Sequence, residues 1–170
     1  MSPDLKVPAT SSEYAVHESI IEENEKIRVR TVVIATEESG SESTAVLGDR
    51  NPEMAFSVLP MGAPRMVRSD KWRKRPVVLR YFDYRAQLQL QAGTWVPEPH
   101  SMWLIFLMPM PVSWTITKKT SMRYMPHQQK PDKDNLEKGF LDAFGEDQHI
   151  WDGRVSKIWV PAGQEGILVF

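Results

Sequence analysis

Apolar and polar positions along this chain fall into segments with different periods. In residues 76–93, Val77, Tyr81, Tyr84 and Leu88 recur every three or four residues between Pro76 and Gly93. That spacing predicts an amphipathic helix, with proline at its first position and glycine at its stop. Residues 102–108 (MWLIFLM) are apolar without a break and end at Pro109, which predicts a buried central strand. Upstream, FSVLP reads as a short strand, followed by a loop through Gly62, Pro64 and a basic run. In KPDKDNLEKGFLDAFG, Leu136, Phe140, Ala143 and Phe144 form one stripe of a helix over 135–144, with Gly145 as its stop. VSKIWV predicts a strand over 155–160, with Asp152 just ahead of it. Residues 113–129 (SWTITKKTSMRYMPHQQ) are polar and basic with little period and read as a loop.

Residues 1–53 have a different texture. IRVRTVVIA alternates and then turns apolar, predicting a strand over 27–35 added to the edge of the main domain. Around it, Glu22, Glu23, Glu25 and the polar run 37–45 offer too little apolar surface to order themselves, so this part is expected to be partly disordered. The domain reading is an acidic extension over 1–53 and a main domain over 54–170. No internal repeat is visible.

Composition bounds the chemistry. The chain has 170 residues, enough for one core plus extra chain, and no cysteine. Disulfides and thiolate zinc sites are excluded, so a metal would have to be held by oxygen or imidazole. The longest apolar stretch, 102–112, is broken by Pro109 and Pro111 and is too short to span a membrane. The first residues lack a basic then apolar leader, so a cytoplasmic location is the default expectation.

The net charge of −1 conceals an asymmetry. Residues 1–53 sum to −6, whereas residues 54–138 sum to +8. The excess gathers in Arg65, Arg68, Lys71, Arg73, Lys74 and Arg75, with Lys118, Lys119 and Arg123 further on. Clustered cations suit a polyanion, because each one near a phosphate releases condensed counterions. A solvated basic loop is the plainer reading of the same residues.

The helix entrance carries the chemistry. Asp132 and Asp134, two apart in an extended lead-in, can reach one cation, and Lys138 lies one turn beyond. With Asp152 at the strand entrance, three carboxylates and a lysine would suit Mg²⁺-assisted phosphodiester hydrolysis. Each residue also has a plain structural reading. Asp134 with Glu137 resembles a capping box, Asp134 with Lys138 an exposed helical ion pair, and Asp152-Gly153 a turn. Asp142 reads as structural, and a lone loop His127 is more often not a ligand.

KPDKDNLEKGFLDAF followed by IWDGRVSKIWV closely resembles the hallmark region of RusA-type Holliday-junction resolvases. There, a KPD-x-DN-L-x-K helix entrance precedes an aspartate at a strand by about twenty residues. The order of FSVLP, basic loop, helix, WLIFLMPMP and SW-x-x-x-KK is similar too, so the resemblance spans about 55–170. It implies an α/β fold, a mixed β-sheet with two main helices, assembled as a homodimer. It implies Asp132, Asp134 and Asp152 as ligands of Mg²⁺, with Mn²⁺ as a substitute, and Lys138 as the catalytic lysine. The implied activity is a crossover junction endodeoxyribonuclease making paired nicks in four-way DNA. DNA would lie on Arg65, Arg68, Arg73, Lys74, Arg75, Lys118, Lys119 and Arg123. The family often has two adjacent aspartates where this chain has Trp151-Asp152, which leaves Asp147 as the alternative third ligand. Lys133 stands where an apolar residue is usual. The rival classes are a non-catalytic DNA-binding protein that keeps the fold, and a nuclease of other branched substrates.

Overall fold

The apolar run after residue 100 becomes strand because its bulky side chains can be buried on both faces only in the middle of a sheet. In the computed structural model, which describes residues 14–23, 26–36, 42–73, 75–97, 101–145 and 149–170, with backbone alone up to residue 50, this run is an inner strand. The chain divides into two compact units, Met1–Asn51 and Pro52–Phe170.

In the first unit, β1 (Tyr14–Glu23), β2 (Lys26–Thr36) and β3 (Glu42–Arg50) form an antiparallel sheet in the order β1-β2-β3. This corrects two expectations. The strand expected at the edge of the main domain is the middle strand of a separate sheet, paired from Tyr14↔Ala35 to Glu23↔Lys26 on one side. Glu22, Glu23 and residues 42–45 lie in strands rather than in disordered chain. Sequential strands tend to pair with one another, and ladder hydrogen bonds do not depend on how apolar the side chains are. Glu25 and residues 37–41 lie outside the described residues.

The second unit contains β4 (Met54–Phe56), α1 (Pro76–Ala92), β5 (Ser101–Pro109), α2 (Ile116–Met122), α3 (Lys133–Leu141), β6 (Asp152–Val160) and β7 (Gly166–Val169). Its mixed sheet has the order β4-β7-β5-β6. β6 runs parallel to β5, and β7 runs antiparallel to both β5 and β4. Leu104, Phe106 and Met108 of β5 face Tyr81, Tyr84 and Leu88 of α1 and Leu136 and Phe140 of α3 in one core. Burying each such side chain contributes about 1.5–3 kcal/mol, which is what seats α1 and α3 on the sheet.

α1 starts at Pro76 and ends at Gly93, whose φ of 60° favours glycine. α3 begins and ends earlier than its stripe suggests. Ala143 and Phe144 follow it in a tighter turn, their N–H groups donating to Phe140 and Leu141. The expected loop over 113–129 contains α2, a short helix without a buried residue. Thr115 caps it by accepting from the Lys118 N–H at 3.3 Å, and Thr120 and Ser121 hydroxyls donate to its carbonyls. Side-chain hydrogen bonds rather than an apolar stripe shape it, so no period marks it. The described residues thus hold three helices where two main ones were expected. No helix among them is long and apolar enough to cross a membrane.

The outer edge of β6 is covered by the segment after α2. Tyr124 donates to Trp159 O, Trp159 to Met125 O and His127 to Lys157 O, at 2.8–3.0 Å. That pairing carries the chain along β6 and delivers it to α3.

Candidate active site

Before α3 the chain passes a cis Lys130-Pro131 bond to Asp132, the N-cap residue. Its backbone carbonyl accepts from Leu136 N at 3.1 Å, while its side chain makes no capping hydrogen bond. Asp134 therefore stands in the first turn and is not the cap, which corrects the capping-box reading. Both carboxylates are exposed on the positive end of a helix, and among the described residues Asp134 has an ion pair with Lys133, at 3.6 Å. Neither carboxylate is consumed by the fold, and two hard oxygen groups two residues apart fit a hard divalent cation.

Glycines let α3 sit close to the loop that follows β4. A Cβ on Gly139 would lie 2.4 Å from Met61 O, and one on Gly62 would lie 2.4 Å from Asn135 Nδ2. Ala63 N–H donates to Asn135 O at 3.1 Å across this contact. The entrance of α3 is thus tied to the start of the basic loop.

Lys138 does not turn toward Asp134. Its ammonium lies 3.2 Å from Asp142 Oδ1, one turn further on, while Asp142 Oδ2 accepts from Tyr81 OH at 2.6 Å. Burial and the Asp142 carboxylate push the Tyr81 phenol well above its ordinary range, so it stays a donor. Asp142 has the structural role its place in the helix suggested, and it also parks the lysine. The Lys138 side chain is 62% exposed, so the ammonium can leave that partner and swing toward a phosphate at low cost.

Asp152 is placed differently from the expectation. Side chains alternate along β6, setting Gly153, Val155, Lys157 and Trp159 toward the helices. Asp152, Arg154 and Ser156 take the other face, where Arg154 lies 4.1 Å from the Trp103 ring and Ser156 Oγ accepts from Trp103 Nε1 at 3.1 Å. Glu137 Oε1 comes within 3.3 Å of a Cβ built on Gly153. The side of β6 that meets α3 is therefore the side Asp152 does not share. Among the described residues no three acids or histidines gather into a metal-binding group, so Asp132, Asp134 and Asp152 do not converge. Asp147 lies outside the described residues.

Lys157 was not singled out from the sequence, yet it reaches this region. Its ammonium donates to the carbonyls of Gln129 at 2.8 Å and Pro131 at 2.7 Å. Burial pulls its pKa below the ordinary range, and the charge of Asp132 opposes that. A cation interrupting an apolar strand face was the signal available. His127 is buried at 6% exposure, its ring 4.0 Å from that of Trp159, with Nδ1 accepting from Gln129 N–H at 3.4 Å. Burial and then the Lys157 charge lower its pKa, so it is a packed neutral ring.

Residues 57–162 match the family model Endodeoxyribonuclease RusA. The chain belongs to the RusA family. No curated protein and no solved structure matches it. The match makes the chain an endodeoxyribonuclease by class, and both the entrance of α3 and the cationic segments before it lie inside the RusA region.

The cations of the RusA domain are not equivalent. Arg75 is tied up: its Nε and Nη2 donate to the two carboxylate oxygens of buried Asp70 at 2.9 and 2.8 Å, and Nη2 also donates to Arg65 O. Val67 N–H donates to the same carboxylate, closing a rigid turn around Arg68–Lys71. Hydrogen bonds from Arg75, then from the Val67 backbone, hold the Asp70 carboxyl below its ordinary range. Arg75 is thus a fastener for the basic loop, with its side chain still 44% exposed. Arg65, Arg68 and Arg73 are exposed on that loop beside Trp72, which is 80% exposed, and Lys74 lies outside the described residues. On α2, Lys118 sits 4.3 Å from the Trp114 ring, which packs 4.7 Å from Trp159. Lys119 donates to Val112 O at 3.2 Å, and an Arg123 guanidinium nitrogen lies 3.2 Å from Tyr124 OH. The rings from Trp114 to His127 thus join α2 to the segment that leads into α3.

Proposed function

We propose that this RusA-family chain is a Mg²⁺-dependent endonuclease that resolves four-way DNA junctions by paired nicks, acting as a homodimer. The observation that carries this reading is the pair of uncommitted carboxylates, Asp132 and Asp134, at the positive end of α3 within the RusA match. These two would hold Mg²⁺, or Mn²⁺ in its place. When bound, the ion polarises the scissile phosphate and lowers the pKa of its water. Lys138 leaves Asp142 to steady the charge that grows on the phosphate oxygens. Arg65, Arg68 and Arg73 on one side and Lys118, Lys119 and Arg123 on the other bind the backbone of the arms. A junction offers two equivalent strands, so coordinated cutting calls for two copies of the site. The nicks leave 5′-phosphate and 3′-hydroxyl ends, which a ligase can seal.

The test is a labelled four-way junction with Mg²⁺, beside a linear duplex of the same sequence. Symmetric nicks in the junction alone support the reading. Tight junction binding without nicking in Mg²⁺ or Mn²⁺ would overturn it in favour of a non-catalytic DNA-binding protein, and preferred cutting of flaps would make the chain a nuclease of other branched DNA.

A further inference from the structure

A lysine on a strand face that otherwise packs against helices gives up part of its hydration, and hydrogen bonds within the protein take its place. Lys157 is half-buried and makes such bonds. It stands on β6 between Val155 and Trp159, on the face that meets α3, and spends two of its three N–H donors on backbone carbonyls. Those carbonyls belong to Gln129 and Pro131, flanking Lys130 and immediately preceding Asp132. The same segment is fixed from the other direction by His127, whose N–H donates to the Lys157 carbonyl at 2.8 Å. One residue therefore grips the lead-in to α3 with both its backbone and its side chain.

We infer that Lys157 is a positioning residue for the metal-binding carboxylate of Asp132, its ammonium clamping the Gln129–Pro131 segment so that Asp132 is presented at a fixed place beside β6. The inference rests on the reading of Asp132 and Asp134 as cation ligands and names the residue that orients one of them. Outer partners of metal ligands act in this way, and losing one typically costs about 10–100-fold in metal affinity or activity. Charge and geometry here have opposite signs. A cation near a carboxylate weakens the binding of a second cation, so if Lys157 acted by charge alone, its removal would tighten metal binding. If it acts by placing Asp132, removal loosens binding.

The experiment measures Mn²⁺ binding by calorimetry on the full chain without DNA, for wild type, Lys157→Met, Lys157→Gln and Asp132→Asn, beside thermal melting in EDTA. Nicking of a four-way junction is then followed against Mg²⁺ concentration. Lys157→Met is expected to weaken Mn²⁺ binding about tenfold or more and to raise the Mg²⁺ concentration for half-maximal nicking in parallel, with excess metal restoring part of the rate. Junction affinity without metal should stay within about threefold. Lys157→Gln keeps amide donors for the carbonyls and should fall between, and it replaces the Met variant if that protein melts below the assay temperature. Unchanged or tighter Mn²⁺ binding in the folded variants overturns the inference. So does a rate loss that extra metal cannot restore while Mn²⁺ affinity stays at the wild-type value. If wild type and Asp132→Asn bind Mn²⁺ equally, the ligand assignment fails, and the positioning role falls with it.

Discussion

Replacing Asp134 by Asn separates holding a phosphate from attacking it. The side chain is 83% exposed, and its ion pair with Lys133, at 3.6 Å, is also exposed. Such a pair contributes about 0–1 kcal/mol, and the charge near the helix N-terminus adds about 0.3–1 kcal/mol. Because Asp132 and not Asp134 is the N-cap, no cap is lost. The variant should therefore lose less than about 2 kcal/mol, a few degrees of melting temperature for a domain of this size. Its chemistry should suffer far more. Losing one ligand charge removes part of the several kcal/mol of charge stabilisation that a bound ion supplies, and at about 1.4 kcal/mol per tenfold a loss of 3–4 kcal/mol is roughly 10²–10³ in rate. Junction affinity in Ca²⁺ or without metal should hold or rise, since a negative charge facing phosphate has gone. The assay pairs single-turnover nicking in Mg²⁺ with junction binding and with melting curves taken with and without Mg²⁺. In wild type, Mg²⁺ at a hundred times its Kd should stabilise the fold by about 2.7 kcal/mol, and the variant should lose most of that gain. A variant that nicks at the wild-type rate, with its Mg²⁺-induced stabilisation intact, would refute the reasoning.

The remaining expectations follow from individual contacts. Asp152→Asn should leave nicking near the wild-type rate, because Asp152 lies on the face of β6 away from α3; a large loss of cleavage in a side-by-side assay would restore Asp152 as the third ligand. Lys118→Ala with Lys119→Ala should lower the salt dependence of junction binding by up to about 2 units of slope, read from affinities across a salt series, and an unchanged slope would remove both from the interface. Gly139→Ala puts a Cβ 2.4 Å from Met61 O and should destabilise the domain by about 1–3 kcal/mol in urea unfolding, with the entrance of α3 pushed off its loop. The Asp70 carboxyl titrates lower in the folded chain than in the unfolded one, so its stabilisation is present above the ordinary aspartate range and is lost as pH falls through the folded value. Asp70→Asn should accordingly flatten the acid limb of the melting profile, whereas an equally steep limb would leave that role to other carboxylates.

How much of this was legible beforehand depended on whether a signal was local. The helix over residues 76–92 could be read because proline, glycine and a stripe of large apolar residues all agreed, and β5 because its run is apolar on both faces. The Asp132/Asp134 entrance could be read because two carboxylates and a lysine fall at the start of a stripe that buries Leu136 and Phe140. Other features had no local mark. α2 is held by hydroxyls and buries nothing, so no period announces it. The first unit pairs strands whose polar residues concealed the ladder, because backbone groups, which are the same in every residue, make those bonds.

The sequence by itself determined the helix over 76–92, the central strand after residue 100 and which carboxylates enter α3, since periodicity, capping and spacing act within one or two helical turns. Only the tertiary structure decided who stands beside whom. It joined Asp142 to Tyr81, locked Arg75 to Asp70 and set Asp152 on the far face of β6. It also brought Lys157, 25 residues along the chain from Asp132, to the carbonyls that hold that aspartate's approach. The physical reason is that hydrogen bonds and ion pairs depend on distances in space, and chain spacing sets those distances only within a single element.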